Sequence, residues 1–318
     1  MRRLVIGMLA LGLLLGVPLG GLLGGCGRPA GDQTTAGAGP PPTVDDLVRL
    51  DEQARQALAR WADAVAAHGD GPRFVPIDDG FGLVGDREPE IAANFKSAVM
   101  AGQLEAAPGV LPAGDPGTGE VRWDDGSTVT LPLRSAEAAL HSLTEPRRDD
   151  CGGCTPLRVT GARLVTVTTR TDRGPATVPA WEFALAGTAA RITKVAVAAS
   201  AAITVSPPPW DGSHRPAGLW VESAEVAADG RTVTAHFTGG RAGTGPCTSD
   251  YTARAVESEL AAVIIVEEHP HAAPHPAPAT MACDLAGHPR TATLTLAAPL
   301  AQRTLLQVVD GKPIPTTR

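Results

Sequence analysis

The first run of apolar residues has no period. Leu4 to Leu23 is apolar apart from glycines and Pro18, follows Arg2 and Arg3, and closes on Leu23-Gly24-Gly25-Cys26. A basic head, an apolar body and a small-residue cleavage site make a signal peptide over residues 1–25. The same length of apolar chain would span a bilayer. Against that, five glycines and a proline lower its helix propensity, and no cluster of stop-transfer charges follows.

Helical spacing begins at residue 43. Thr43-Val44-Asp45-Asp46 has the form of a capping box, and Leu47, Leu50, Ala54, Ala57, Trp61 and Ala64 follow at steps of three and four. That spacing predicts a helix over 44–67 stopped by Gly69. Its Ala-rich stripe is expected to pack on the domain that follows it rather than to bind a partner. Glu88 to Ala106 reads as a second helix, with Ile91, Phe95, Ala98 and Val99 on one side. Val121-Arg122-Trp123 and Ser127 to Leu133 flank Asp124-Asp125-Gly126, a hairpin turn, and Ser135 caps a short helix over 136–143.

From Leu157 onward the period changes to two. Leu164 to Thr171 and Ala176 to Leu185 read as strands joined across Asp172-Arg173-Gly174-Pro175, and Ile192 to Ala199 as another. Pro179 places the middle strand at an edge or a bulge. Three prolines at 207–209 interrupt any ladder. Beyond them strands are expected at 219–226, 232–237, 251–256, 261–267, 291–296 and 305–309, with Asp229-Gly230 as a hairpin turn. The predicted fold class is α+β. An amino-terminal helix and a mixed α+β domain (43–205) lead through a Pro-rich linker (206–218) to a small all-β, sandwich- or barrel-like domain (219–318).

Composition narrows the function classes. With 318 residues, 43% hydrophobic and 19% charged, the chain suits one or two globular domains. A formal charge of −7 and 3% aromatics oppose a basic, base-stacking surface, so no nucleic-acid partner is expected.

Leu23-Gly24-Gly25-Cys26 resembles the lipobox of bacterial lipoproteins: an aliphatic residue, two small residues, then Cys. The resemblance implies thioether lipidation of Cys26, cleavage after Gly25 and acylation of the new amino terminus. It also implies lipid anchorage on the extracytoplasmic face of the cell membrane, with membrane lipid as a partner. Residues 26–42, rich in Gly, Ala, Thr and Pro, read as a tether without a fold of its own. Pro246-Cys247, Asp250-Tyr251, Pro299-Leu300 and Gly311-Lys312-Pro313 are similar to segments of uncharacterised secreted lipoproteins of high-GC Gram-positive bacteria, to which no activity attaches.

With Cys26 assigned to lipid, four cysteines remain in an oxidising compartment, and three pairings are formally possible. Cys151 with Cys154 and Cys247 with Cys283 are expected, since each pair lies inside one proposed domain. Cys151-Gly-Gly-Cys154 also has the CxxC form of disulfide oxidoreductases. Thr155-Pro156 and a β-like run follow it, however, instead of the helix that would lower a thiol pKa.

His269, His271 and His275, beside Glu267 and Glu268, form the one metal-like cluster, but Ala and Pro between them predict a solvated connection. Asp78-Asp79 and Asp149-Asp150 read as turns rather than as acid–base or calcium groups, and Trp123 and Trp210 as packing residues. No GxSxG, HExxH, SxxK, P-loop or dinucleotide fingerprint is present. The resulting expectation is a non-enzymatic binding or interaction module for an unknown protein or cell-envelope ligand, with no cofactor. The alternative is an extracytoplasmic metal-binding protein or enzyme using the His269/His271/His275 loop or the Cys151/Cys154 pair.

Overall fold

A computed structural model describes residues 43–85, 89–145, 151, 153–209, 217–271, 283 and 286–318, all of which belong to one compact unit. Helix α1 (Val44–His68) begins as the capping box requires. The Thr43 hydroxyl accepts the Asp46 N–H at 3.2 Å and the Asp46 carboxylate accepts the Thr43 N–H at 3.0 Å. It ends at Gly69, and its buried stripe is Leu50, Ala54, Ala57 and Trp61.

Next come β1 (Phe81–Val84), α2 (Pro89–Met100), β2 (Leu104–Ala106), β3 (Thr118–Trp123), β4 (Thr128–Pro132) and α3 (Ala136–Thr144). They are followed by β5 (Leu157–Thr171), β6 (Gly174–Leu185) and β7 (Arg191–Val195). These strands form one seven-stranded sheet in the order β1-β7-β6-β3-β4, with β5 along the other side of β6 and β2 parallel to β5. Phe95, Ala98, Leu140 and Leu143 of α2 and α3 cover one face against Phe183 and Ile192. Phe74, Val121, Leu131 and Val178 pack on the other.

Two sequence expectations change here. The helix expected over 88–106 stops at Met100, because Gly102 turns the chain at φ +68° and releases Leu104–Ala106 to pair with Leu157–Val159. Strand β6 is interior, not an edge, despite Pro179. On one side it pairs through Ala176 and Thr177 with β3 and from Ala180 onward with β7, so Pro179 falls between two ladders. The Pro179 carbonyl accepts the Ala196 N–H at 2.8 Å, and the missing N–H would point the same way, at the Ala196 carbonyl, which accepts the Arg134 N–H at 2.8 Å instead and so is not left without a donor.

After a 3₁₀ turn (Ala199–Ala201) the chain forms β8 (Val221–Val226), β9 (Thr232–Gly239), β10 (Ser249–Glu257), β11 (Ala261–Pro270), β12 (His288–Thr295), β13 (Thr304–Gln307) and β14 (Thr316–Thr317). They make a three-stranded sheet, β10-β11-β13, and a four-stranded sheet, β12-β9-β8-β14, whose facing side chains share one core. The Asp229 carboxylate accepts the Arg231 and Thr232 N–H groups at 2.8 Å, closing the expected β8–β9 turn. Tyr251 is a packing residue: it lies edge-on to Phe237, under Arg290, and donates to Glu268 at 3.0 Å. The architecture is α+β, with strands predominating over the three helices among the described residues.

Helix α1 packs on β11 and β13 instead of on the strands that follow it in sequence. Ala262, Ile264 and Val266 of β11 face the core between the two carboxy-terminal sheets, while Ala261, Val263 and Ile265 face Trp61 and Leu50 of α1. Arg254 of β10 donates to Asp51 of α1 and to Glu267, both at 2.5 Å.

A second seam joins the β5–β6 turn to β13. Asp172, 7% exposed, accepts the Thr304 hydroxyl at 2.7 Å, and Arg73 donates to that hydroxyl at 3.1 Å. Burial pushes the Asp172 carboxyl above the ordinary carboxylate range. The Thr304 bond and the charges of Arg73, Arg173 and Arg318 oppose it without prevailing. The folded state therefore holds this proton more tightly than the unfolded chain. The stabilisation is fully present below the ordinary Asp value of 3.8 and is lost as pH rises through the elevated folded value. Asp172→Asn keeps an acceptor for Thr304 and has no charge to desolvate. Urea midpoints measured from pH 4 to pH 8 should show this falling contribution in the parent and not in Asp172→Asn, with the variant at least as stable at pH 7.

Candidate functional site

A cavity of about 520 Å³ opens where the segment after α1 meets β7 and α3. Pro76 bridges to Thr171, which brings residues 76–80 across the sheet. Asp78 and Asp79 then act as turn residues, as their position beside Gly80 suggested: their carboxylates accept the Gly80 and Phe81 N–H groups, each at 3.0 Å. Gly80 is required at this point. Its φ is +68°, and a Cβ there would lie 2.6 Å from Val195 Cγ2, so a larger residue would push the segment off β7.

Among the described residues two cations line this cavity. Lys194 of β7 is 5% exposed, and its ammonium donates to the Asp79 carbonyl at 2.5 Å with the Asp79 carboxylate 3.5 Å away. Arg134 follows the bridge between Leu133 and Val197. Its Nε and Nη2 donate to the Val195 carbonyl at 3.0 and 2.5 Å, and its Nη1 donates to the Ser142 hydroxyl at 3.2 Å. Trp181 fixes the Arg134 backbone by donating to its carbonyl at 2.9 Å. Burial lowers the Arg134 pKa from the ordinary arginine value, with the negative charge of Asp79 opposing. Phe74, Val195, Val197 and Ala202 supply apolar wall.

The acidic pair therefore does line a cavity while making its turns, and sequence reasoning missed both cations. One signal was available: Lys194 is one of three lysines in the chain and stands inside the apolar strand pattern Ile192-Thr193-Lys194-Val195. A buried lysine is uncommon without a partner, so that position marks a local polar requirement. Arg134 carried no such mark.

The other predicted residues lie elsewhere. Cys26 and His275 fall outside the described residues, as do Trp210 and Asp149-Asp150. Cys151 is bonded to Cys154, and Cys247 to Cys283, which is the expected pairing. His269 belongs to β11 rather than to a loop, because its backbone pairs with Asp250, and its Nε2 lies 2.7 Å from the Thr252 hydroxyl. His271 Nε2 lies 3.1 Å from the Asp250 carboxylate. Among the described residues no group of three His, Cys, Asp or Glu is placed to hold a metal ion. Trp123 is buried, donates to the Thr171 hydroxyl at 3.0 Å and carries Arg173 over its ring, so it packs as expected.

Comparison with known proteins finds no family model, no curated protein and no solved structure that matches this chain. No described helix is long and apolar enough to cross a membrane.

Proposed function

We propose that the chain is a lipid-anchored extracytoplasmic binding module, held to the membrane through acylated Cys26 and presenting the Arg134–Lys194 cavity to a small ligand. The observation that carries the binding role is the way the polar wall is fixed. Arg134, Lys194, Asp78, Asp79 and Ser142 are each held by backbone groups: the Ser142 hydroxyl donates to the Ala139 carbonyl at 2.8 Å, and the others make the bonds given above. Groups immobilised this way suit recognition, and a serine whose proton is committed to a carbonyl is a poor nucleophile without a base beside it. The two disulfides suit an oxidising compartment. Residues 219–318 are read as a small sandwich-like module on which α1 docks.

Anchorage is tested by Cys26→Ala in the native host. The parent should fractionate with membranes, and mass spectrometry should find a lipid-modified Cys26 at the mature amino terminus. The variant should appear in the medium or remain unprocessed. Normal cleavage with undiminished membrane retention of the variant would refute the lipid anchor.

A further inference from the structure

The charge balance of the cavity is uneven. Asp78 accepts from Gly80 and Thr169 and lies 3.7 Å from Arg170 Nε. Asp79 is matched by Lys194. Glu145, the remaining acid among the described residues of the wall, is exposed to water. Arg134 is half-buried, yet no described carboxylate lies within ion-pairing distance of it. A guanidinium has five N–H donors. The Val195 carbonyl and the Ser142 hydroxyl take three, leaving one on Nη1 and one on Nη2 without a partner among the described residues. A desolvated cation with unused donors is unfavourable until an anion reaches it. A carboxylate spans two guanidinium nitrogens better than any neutral group does.

Resting on the binding-module reading above, we propose that the cavity takes a small monocarboxylate with a compact apolar body, whose carboxylate bridges Nη1 and Nη2 of Arg134. The body lies against Phe74, Val197 and Ala202. A cavity of about 520 Å³ is within the range that encloses small ligands. Glu145, the acid of the described wall with no cation paired to it, sets the charge limit, because it repels a second negative charge and leaves a monoanion as the preferred ligand.

Four probes built on one benzene ring separate the possibilities: benzoate, neutral benzamide, cationic benzylamine and dianionic phthalate. The full chain in neutral detergent, labelled with ¹⁵N, is titrated with each. The expected result is saturable movement of the Arg134 Nε–Hε resonance and of the Gly80 and Val195 amides with benzoate, and at least tenfold weaker binding of the other three. Arg134→Lys should weaken benzoate at least tenfold. Since Arg134 also braces Val195, the wild-type Nε–Hε titration carries the test if the variant does not fold. If benzamide or benzylamine moves the cavity amides as well as benzoate does, the carboxylate assignment fails and the binding module stands. The assignment also fails if benzoate binds without moving Arg134. If none of the four probes moves the Gly80 and Val195 amides, the cavity is not a ligand site and both readings fall.

Discussion

Replacing Trp61 by Ala is expected to destabilise the protein by about 3–5 kcal/mol, the range for emptying a fully buried aromatic site. Trp61 is 0% exposed and belongs to the core that Leu50, Ala54 and Ala57 of α1 share with Val263 and Ile265 of β11 and Leu306 of β13. That core is drawn from three elements, so closing the vacated space requires the helix to shift against the strands. The indole N–H has no hydrogen-bond acceptor among the described residues. Trp61→Phe should therefore cost clearly less than Trp61→Ala, since it removes a buried donor already without a partner. Val48, 59% exposed on the same helix, provides the control: Val48→Ala should stay within about 0.5 kcal/mol of the parent. Urea denaturation followed by circular dichroism measures all three. A Trp61→Ala loss as small as the Val48→Ala change would mean that α1 is not docked on β11.

The paired substitution Cys247→Ser with Cys283→Ser should cost about 3–4 kcal/mol by the chain-entropy account of a loop whose ends are 36 positions apart in sequence. This bridge ties the residue two before β10, in the three-stranded sheet, to the segment entering β12, in the four-stranded sheet. It therefore clips together the two layers that share the carboxy-terminal core. The Cys151–Cys154 bridge closes a separation of only 3, and its removal should cost about half as much on the same account. Denaturation midpoints with and without reductant give both numbers. Reductant should lower the parent further than it lowers the Cys247/Cys283 variant. Equal losses from the two bridges would contradict the loop-length account.

Local chemistry explains why some of this fold was legible in the chain. Thr43 and Asp46 satisfy each other's backbone within a single turn, so the start of α1 depends on nothing remote. The same holds for Gly69 at its end, for Asp229 in the β8–β9 turn and for Ser135, whose hydroxyl accepts the Ala138 N–H at 3.1 Å. The elements misjudged or missed were those made by pairing. Leu104–Ala106 continues a helical apolar pattern and became a strand because Leu157–Val159 was there to receive it. Phe81–Val84 is too short to show a period and is a strand because β7 lies beside it. Pro179 was a sound edge signal taken alone; the gap between β3 and β7 made an interior place for it.

The cavity was illegible for the same reason. Asp78 and Asp79, Arg134 and Lys194 come from three separate stretches, and only the crossing at Pro76 and Thr171 and the approach of Gly80 to Val195 gather them.

By itself, then, the sequence determined where α1 and α3 are capped, that Asp124-Asp125-Gly126 and Asp229-Gly230 close hairpins, which side of α1 must be covered and that Ala261 to Val266 is apolar on both faces. Capping, turn geometry and periodicity act over a few residues and are written in their order. Only the tertiary structure decided that α1 covers β11, with Asp51 meeting Arg254 across 203 positions, and that an arginine and a lysine come to line one cavity. An apolar stripe specifies that it must leave water and not which surface receives it. That choice falls to shape and to the entropy of closing the chain between them, terms that belong to the whole fold.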